Sequence, residues 1–464
     1  MMKPRSFPFV VDLLLAAVSI FARPSAAQTA PAQSAPMHVP PGQPATPQTA
    51  SPQAVQSLTL QDAEKIAIQN HPQVQVATYL AAAAQSRVSQ VESLYYPQAF
   101  GSVTGAYAEN DSRIAAGGLN NPIVFNRFAE GVTVSQLVTD FGRTHELVKS
   151  SKYAAQAEQA NVTLSRADVL LGADRAYYAV LKAQAVLKVA DETVKARQLV
   201  AEQITTLANN KLKSGLDVSF ANVDLAQARL LQIQARNDLD ASLADLSAAL
   251  GYSDQRAFNL ADDTQNLTQP LQPPPVDFNG VLQLAMQNRP ELIGQRFELQ
   301  SAQSYARAER DLWFPTLSAV GAAGLIPYRA DTLASRYAAG GFNVNIPIFN
   351  GHLFGALRSE ADARENAQQQ FVRDLQNRIT RDVRAAWLNA NSAFERLSVT
   401  EQFLAQARQA FELAQARYKL GLSSIIELSQ AQLNLTQAEI AEASAKYDYE
   451  IQSSTLNYQT GLLH

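Results

Sequence analysis

The hydrophobic and polar positions of this chain follow two different periods. Leu397, Leu404, Phe411 and Tyr418 stand seven residues apart, and smaller residues follow each of them three positions later. This heptad spacing is typical of long helices that pack side by side. The same texture predicts a helix from about Gly142 to Asn210, on the order of 100 Å long at 1.5 Å per residue.

Two other regions have a period of two. Apolar residues at every second position from Phe342 to Ile348 alternate with Asn343, Asn345 and Pro347. Such alternation predicts strands with one apolar and one polar face. We expect strand hairpins at about residues 98–138 and 316–349. Their strands, of about ten to twelve residues, have the length needed to cross a membrane when tilted.

Several short motifs occur twice along the chain, in the same order. In the first half they are Asn70-His71-Pro72, Tyr95-Tyr96-Pro97 and Lys213-Ser214-Gly215-Leu216, and in the second half Asn288-Arg289-Pro290, Trp313-Phe314-Pro315 and Lys419-Leu420-Gly421-Leu422. Such repetition indicates a tandem duplication. We assign the two repeats to residues 57–255 and 276–464, with a polar, proline-rich connector at 256–275.

Two segments precede the repeats. Residues 1–27 begin with Lys3 and Arg5, continue with an apolar run and end in small residues, which predicts a secretory signal peptide. Residues 28–56 are rich in Pro, Gln and Ala, with too few large apolar side chains to fold, and indicate a disordered or extended linker.

The strand pattern constrains how the chain could meet a membrane. No run of eighteen apolar residues without charge follows Gln28, so the sequence argues against spanning helices. Two hairpins give four strands, which cannot close into a barrel, and an open sheet edge in lipid would leave backbone groups without partners. The strands of several copies must therefore combine, and the pattern alone allows two or three copies.

Composition and motif content argue against other functions. The formal net charge is −4 without a basic stripe, so nucleic acid is not an expected partner. The chain has no cysteine, its five histidines are not spaced as metal ligands, and it contains no phosphate loop or nucleophile motif. We therefore predict no enzyme activity, no catalytic residue, no metal site and no cofactor.

The duplicated order of long helix, hairpin and long helix, together with the Asn-x-Pro, aromatic-Pro and Lys-x-Gly-Leu marks, resembles the TolC family of outer-membrane factors. The resemblance covers about residues 57–464. It implies a mainly α fold with a β-barrel portion, in which a homotrimer forms a twelve-stranded outer-membrane barrel and a periplasmic α-helical barrel. Residues 256–275 would belong to the equatorial belt of that tunnel.

The resemblance also implies a function. The trimer would be a passive exit duct in the outer membrane, with its helical tunnel in the periplasm, and its partners would be a periplasmic adaptor protein, an inner-membrane pump and outer-membrane lipid. We expect small molecules or drugs as cargo rather than secreted polypeptides. The helix turns at Gly215, Leu216, Gly421 and Leu422 would contact the adaptor.

A periplasmic gate is the finer expectation from this resemblance. Tyr418, Glu427 and Asp224 align with gate residues of the family, Gln430 replaces a second aspartate, and Ser423 stands where an arginine is expected. Asp224, Glu427 and Gln430 would then line a narrow mouth that attracts cations. Two alternatives stay open: the carboxylates are ordinary solvated charges, or Tyr418 packs in the heptad seam.

A different class of protein also fits part of the pattern. A periplasmic coiled-coil scaffold or adaptor without a membrane barrel would explain the signal peptide and the helices. It would not explain why long alternating hairpins occur at the same place in both repeats.

Overall fold

The computed structural model describes residues 58–107, 109, 126–261, 271–329 and 334–463. The predicted signal peptide at 1–27 and linker at 28–56 lie outside these ranges, and so do the middle parts of both predicted hairpin loops. The helices and strands, in chain order, are α1 Leu60–Asn70, α2 Pro72–Glu92, β1 Gln98–Ala106, β2 Arg127–Thr139, α3 Arg143–Asn209, α4 Gly215–Ala249, α5 Phe278–Asn288, α6 Pro290–Arg310, β3 Thr316–Arg329, β4 Arg336–Asn345, α7 Leu353–Lys419 and α8 Ile425–Thr460.

The same six elements therefore occur twice. Both short helices of each repeat meet at a proline, because Pro72 and Pro290 occupy the first position of α2 and α6, where no backbone N–H is needed. The two long helices, α3 and α7, have 67 residues each, or about 100 Å at 1.5 Å per residue. None of the helices described is both long and apolar enough to cross a membrane.

The four strands form one antiparallel sheet in the order β1-β2-β3-β4. Its register places one set of residues on an apolar face and another on a polar face, since opposite partners point to the same side. The apolar face includes Val103, Val132, Val134, Leu317, Phe342 and Val344, with Glu130, Gln136 and Arg336 among its polar exceptions. The polar face includes Ser102, Thr133, Ser135, Ser318, Asn343 and Asn345, with Phe100, Val320 and Tyr337 among its apolar or aromatic exceptions.

The last strand, β4, ends earlier than the alternation of apolar and polar residues predicts. We expected the second hairpin to continue to residue 349, whereas β4 ends at Asn345. Pro347 has no N–H to donate to a strand ladder, so the alternation beyond Asn345 does not continue the sheet. Ile348 and Phe349 lie exposed between the strand and α7.

The apolar core is a series of clusters along the helices. The largest lies where α1, α3, α4 and α8 meet, with Val169, Tyr177, Leu246 and Tyr447 among its buried members. A second cluster joins α5, α7 and α8 around Leu375 and Ile379. Buried alanines allow the helix backbones to approach closely along these seams.

The segment before α5 is attached to the long helices. The Trp387 indole nitrogen on α7 donates to the Pro275 carbonyl at 2.7 Å, and the Tyr449 hydroxyl on α8 donates to the Gln272 carbonyl. Indole and phenol groups that are largely buried need such partners. The described end of the connector therefore lies against α7 and α8.

Candidate functional site at the helix turns

The candidate site lies at two helix turns, and the helix that follows each turn starts with a serine N-cap. The first helical hairpin is α3, its turn and α4, and the second is α7, its turn and α8. Ser214 and Asp217 form a capping box at the start of α4, with the Ser214 hydroxyl accepting from the Asp217 N–H at 3.2 Å and the Asp217 carboxylate accepting from the Ser214 N–H at 3.0 Å. Ser424 accepts from the Glu427 N–H at 3.4 Å in the second hairpin.

The predicted turn residues lie at the exposed ends of these hairpins. Leu216 and Leu422 are both exposed over about two thirds of their surface. Gly421 has φ +75°, a conformation that glycine adopts without strain. Leu212 and Leu420 are also exposed beside them. Each hairpin therefore ends in an apolar surface.

Tyr418 lies in the core that the two hairpins share. Its side chain is 6% exposed and packs with Ile204 of α3 and Ile425 of α8. Its hydroxyl donates to Asp217 Oδ1 at 3.3 Å, and Lys213 Nζ lies 3.8 Å from the ring centroid. Burial and the adjacent Asp217 carboxylate raise the pKa of Tyr418 to about 12, so the hydroxyl stays a donor.

Asp217 is therefore held from two sides. Hydrogen bonds from Ser214, and then from Tyr418, lower the pKa of the Asp217 carboxyl despite partial burial. The anion lies in the first turn of α4, where the helix dipole also favours negative charge. The Tyr418–Asp217 contact thus joins the second hairpin to the first through a stable carboxylate.

Asp224 of α4 contacts both α3 and α8 near this end. Its Oδ2 accepts from the Ser429 hydroxyl of α8 at 2.6 Å and lies 3.6 Å from Arg197 Nη1 of α3. Arg197 is 8% exposed and also donates to the Gln432 side-chain oxygen of α8. The structure therefore places Asp224 between helices of its own chain.

Glu427 and Gln430 differ from Asp224 in their surroundings. Glu427 Oε1 lies 3.2 Å from Arg417 Nε, and both side chains are about half exposed. The Gln430 amide donates to Asn434 Oδ1 at 3.1 Å on the exposed side of α8. The structure thus brings Tyr418 to Asp217 and Asp224 to Arg197, while Glu427 pairs with Arg417 and Gln430 with Asn434.

The sequence reasoning missed Asp217, Arg197 and Arg417. Asp217 carries a local signal, because it follows Ser214 by three residues as a capping box requires. Arg197 carries none, since its partner Gln432 is 235 positions away. Arg417 lies one residue before Tyr418, and only the fold of the turn places it against Glu427.

This arrangement offers packing, ion pairs and an exposed end rather than reactive groups. Among the described residues, no three His, Asp or Glu side chains are grouped so that they could hold a metal ion. The described residues of the site thus place charged groups and apolar surface at the ends of the helical hairpins.

Comparison with known proteins identifies the architecture. The sequence profile of the outer membrane efflux protein family matches residues 65–252 and 281–462, one range within each of the two predicted repeats. The chain belongs to the outer membrane efflux protein family. This is a family of efflux channels rather than a class of enzymes, and the resemblance to TolC-like proteins is confirmed.

Individual members of the efflux protein family are similar over most of their length. Outer membrane protein TolC of Escherichia coli K12 is 21% identical over 397 residues, covering 82% of this chain and 78% of that protein. Toluene efflux pump outer membrane protein TtgC of Pseudomonas putida is 27% identical over 65% of this chain and 62% of that protein. The solved structure of CusC has a TM-score of 0.75 at 18% identity, covering 87% of this chain and 92% of that one.

The structural likeness confirms the predicted fold class of duplicated long helices with a small sheet. The family places the protein in the outer membrane as an efflux channel. The roles of the individual gate residues stay predictions.

Proposed function

We propose that this efflux protein is a passive exit duct whose barrel is assembled from three copies of the chain. The observation that carries the proposal is the sheet β1-β2-β3-β4, which has an exposed apolar face and two outer strands, β1 and β4. In lipid the outward backbone groups of those strands need partners. Strands of neighbouring copies supply such partners.

The faces of the sheet fit a barrel wall. Val103, Phe342 and Val344 on the apolar face are each more than half exposed, which suits contact with lipid chains. Thr133, Ser135 and Asn343 on the other face suit a water-filled interior. Three copies give a wall of twelve strands, and the family resemblance favours three over two.

The helices then form the periplasmic part of the duct. The exposed leucines Leu212, Leu216, Leu420 and Leu422 form an apolar end on each helical hairpin, and Gly215 and Gly421 lie at the same turns. Exposed apolar surfaces rimmed by polar residues mark protein contacts. We assign these ends to a periplasmic adaptor, which links the duct to an inner-membrane pump. The connector at 256–275 is assigned to the belt around the tunnel.

The gate belongs to the same proposal. Glu427 and Gln430 would face the mouth of the tunnel from the exposed side of α8, while Tyr418 and Asp224 would hold the helices that form it. The charge that a solute meets would then come from Glu427 and its partner Arg417.

The proposed cargo is small solutes rather than polypeptides. The relatives' names mention toluene for TtgC and cations for CusC. A duct of this kind performs no chemistry on its cargo, and the pump selects it.

Expression with the native leader in a Gram-negative host tests the proposal. We expect the protein in the outer-membrane fraction, resistant to high-salt washes, with the mass of three mature chains after detergent extraction. Purified protein in planar bilayers should give discrete, passive conductance steps. A monomer released by salt without detergent would favour the periplasmic scaffold instead.

Polypeptide secretion is tested separately from small-molecule efflux. Deletion of the gene in its own host should increase sensitivity to small toxic compounds and leave the set of secreted proteins unchanged. Loss of a secreted protein without a change in sensitivity would contradict the cargo assignment.

A further inference from the structure

The charged residues of the sheet are few and lie close to one of its ends. The strands β1 to β4 contain three arginines, Arg127, Arg329 and Arg336, and a single carboxylate, Glu130. Arg127 is the first residue of β2, Arg329 is the last of β3 and Arg336 is the first of β4. All three arginines therefore lie at the end of the sheet that is farther from the helices.

Two of these arginines are direct neighbours across strands. Arg127 and Arg329 are opposite partners in the antiparallel register of β2 and β3. Because side chains alternate along β2, Arg127 lies on the same face as Thr133 and Ser135, which is the polar face. Like charges directly opposite each other weaken a sheet. The stability of the sheet therefore does not explain this pair.

A shift in the strand register places Arg329 on the polar face. Leu325 is opposite Glu130, whereas Tyr328 is opposite Phe128, so β3 advances by three residues where β2 advances by two. One extra residue of this kind is a β-bulge, which changes the face on which the following side chains lie. Without it, Arg329 would share the apolar face with Leu325.

The same shift brings two aromatic residues together on the apolar face. Phe128 and Tyr328 are opposite partners, and both side chains are exposed. Aromatic residues form girdles at the edges of the apolar band of membrane barrels. The pair therefore marks the rim of the barrel that is farther from the helices, and Arg127 and Arg329 lie at this rim on the other face of the sheet.

We propose that Arg127 and Arg329 form a ring of positive charge at the outer end of the duct, which favours anionic over cationic solutes at the exit. Two arginines from each of three copies give six charges. Rings of arginine in pores select anions, and a charged opening concentrates ions of the opposite sign. Glu130 lies on the apolar face, so no carboxylate of the four strands opposes the ring from the interior.

This inference rests on the proposed duct function, because only an assembled barrel turns the arginine pair of each chain into a ring. Reversal potentials of single channels across a potassium chloride gradient test it. The double variant Arg127→Gln with Arg329→Gln should lower the permeability ratio of chloride to potassium severalfold. A wild-type ratio in this variant would overturn the proposal.

Arg336→Gln is the matched control. Arg336 lies at the same end of the sheet but on the apolar face, so the variant removes an equal charge from outside the interior. We expect the wild-type permeability ratio. A fall as large as that of the single variant Arg127→Gln would mean that charge anywhere near the rim has this effect, and it would contradict a ring inside the duct.

Chemical modification tests the ring in channels that have already folded. The chain has no cysteine, so Arg127→Cys supplies a single thiol, and methanethiosulfonate reagents with a positive or a negative group add either charge there. The positive reagent should raise the ratio of chloride to potassium permeability and the negative reagent should lower it, while Arg336→Cys should respond to neither. No response of Arg127→Cys to either reagent would count against the interior position.

Failure of the duct function would be recognisable by itself. If the unchanged chain formed no channels, the duct function would fail and the ring with it. Channels of ordinary conductance whose selectivity ignored every change at Arg127 and Arg329 would leave the duct function standing and exclude the ring. Arg127→Lys keeps the charge and should keep the wild-type ratio, and a ratio as low as that of Arg127→Gln would contradict a role of charge.

Discussion

The ring of Tyr337 on β4 lies across Gly324 on β3. The strand register places Gly324 opposite Tyr337 on one side and opposite Gly131 of β2 on the other, so the three residues form a row on the polar face. A Cβ atom at Gly324 would lie 2.6 Å from Tyr337 Oη and 2.7 Å from Cε1, and one at Gly131 would overlap the same hydroxyl. The two glycines therefore give the ring room to lie flat on the sheet.

Gly324→Ala should destabilise the sheet, because the added methyl group has to displace Tyr337 and also meets the Glu130 carbonyl. Overpacking of this kind costs about 1–3 kcal/mol. The measurement is the temperature at which the detergent-solubilised oligomer dissociates. Gly341→Ala in β4 is the control, since nothing lies within 4 Å of the added atom there. An equal loss in both variants would show that strand glycines matter for a reason other than the Tyr337 ring.

The sequence predicted this architecture well where its signals are local. Heptad spacing predicted α7. The repeated Asn-x-Pro motifs indicated the duplication, and their prolines, Pro72 and Pro290, take the same position at the start of a helix in each repeat. The end of β4 was predicted four residues too late, since alternation continues past Asn345 although Pro347 cannot join a ladder. The alternation of side chains indicates which face of the sheet a residue lies on. It does not indicate where the backbone hydrogen bonds between strands end.

The candidate site was harder to predict for a different reason. Tyr418 was recognisable from its motif, but its contact with Asp217 joins residues 201 positions apart. Asp224 was expected at the mouth, whereas its partners Arg197 and Ser429 come from two other helices of the same chain. Such contacts depend on how the repeats pack against one another, and no pattern within either repeat contains that information.

A second prediction concerns Asp174, a buried carboxyl of α3 that is 2% exposed. Its Oδ1 has no hydrogen-bond partner among the described residues. Glu64 of α1 and Glu450 of α8 lie nearby, while Arg175 is directed to Thr455. Burial, and then the charge of Glu64, raise the pKa of Asp174 to about 7 from 3.8 for an ordinary aspartate. The carboxyl is thus protonated over much of the range in which free aspartate is charged.

This pKa makes the stability of the protein depend on pH. Because the folded pKa lies above the unfolded one, the folded state holds a proton that the unfolded state has lost, and the free energy of unfolding falls as pH rises from about 4 to about 7. Asp174→Asn should remove the part of this dependence that comes from Asp174, with a stability like wild type at pH 4 and higher by a few kcal/mol, as an order of magnitude, at pH 8. Burial also raises the pKa of Glu450, so a smaller dependence of the same sign remains in the variant. Urea unfolding of the detergent-solubilised protein measures the difference. Asp238→Asn, an exposed substitution on α4, is the control and should unfold with the wild-type free energy at both pH values. If Asp174→Asn differed from wild type by the same free energy of unfolding at pH 4 and at pH 8, titration of Asp174 would not be the cause.

A third prediction separates the ring of Tyr418 from its hydroxyl. Tyr418→Phe removes the hydrogen bond to Asp217 and keeps the ring beneath Lys213, so it should cost about 0.5–1.5 kcal/mol. Tyr418→Ala also empties a packed position between the hairpins and should cost about 3–5 kcal/mol. Thermal unfolding of the helices, followed by circular dichroism, gives both values. Equal losses in the two variants would mean that the hydroxyl, and not the packing, holds this end together.

The last prediction concerns the charge at the mouth of the duct. Glu427 and Arg417 form an exposed ion pair at 3.2 Å. Removing Glu427 leaves the positive charge of Arg417, whereas removing Arg417 leaves the negative charge of Glu427. Rings of charge in a pore select ions of opposite sign, and a trimer multiplies each change by three. Glu427→Ala should therefore shift single-channel selectivity toward anions, and Arg417→Ala should shift it toward cations. Gln430→Ala, which removes no charge, is the control, and reversal potentials measured across a salt gradient report all three variants. Unchanged selectivity in both charge variants would place the Glu427–Arg417 pair away from the path of the ions and leave it as a solvated contact within the second hairpin.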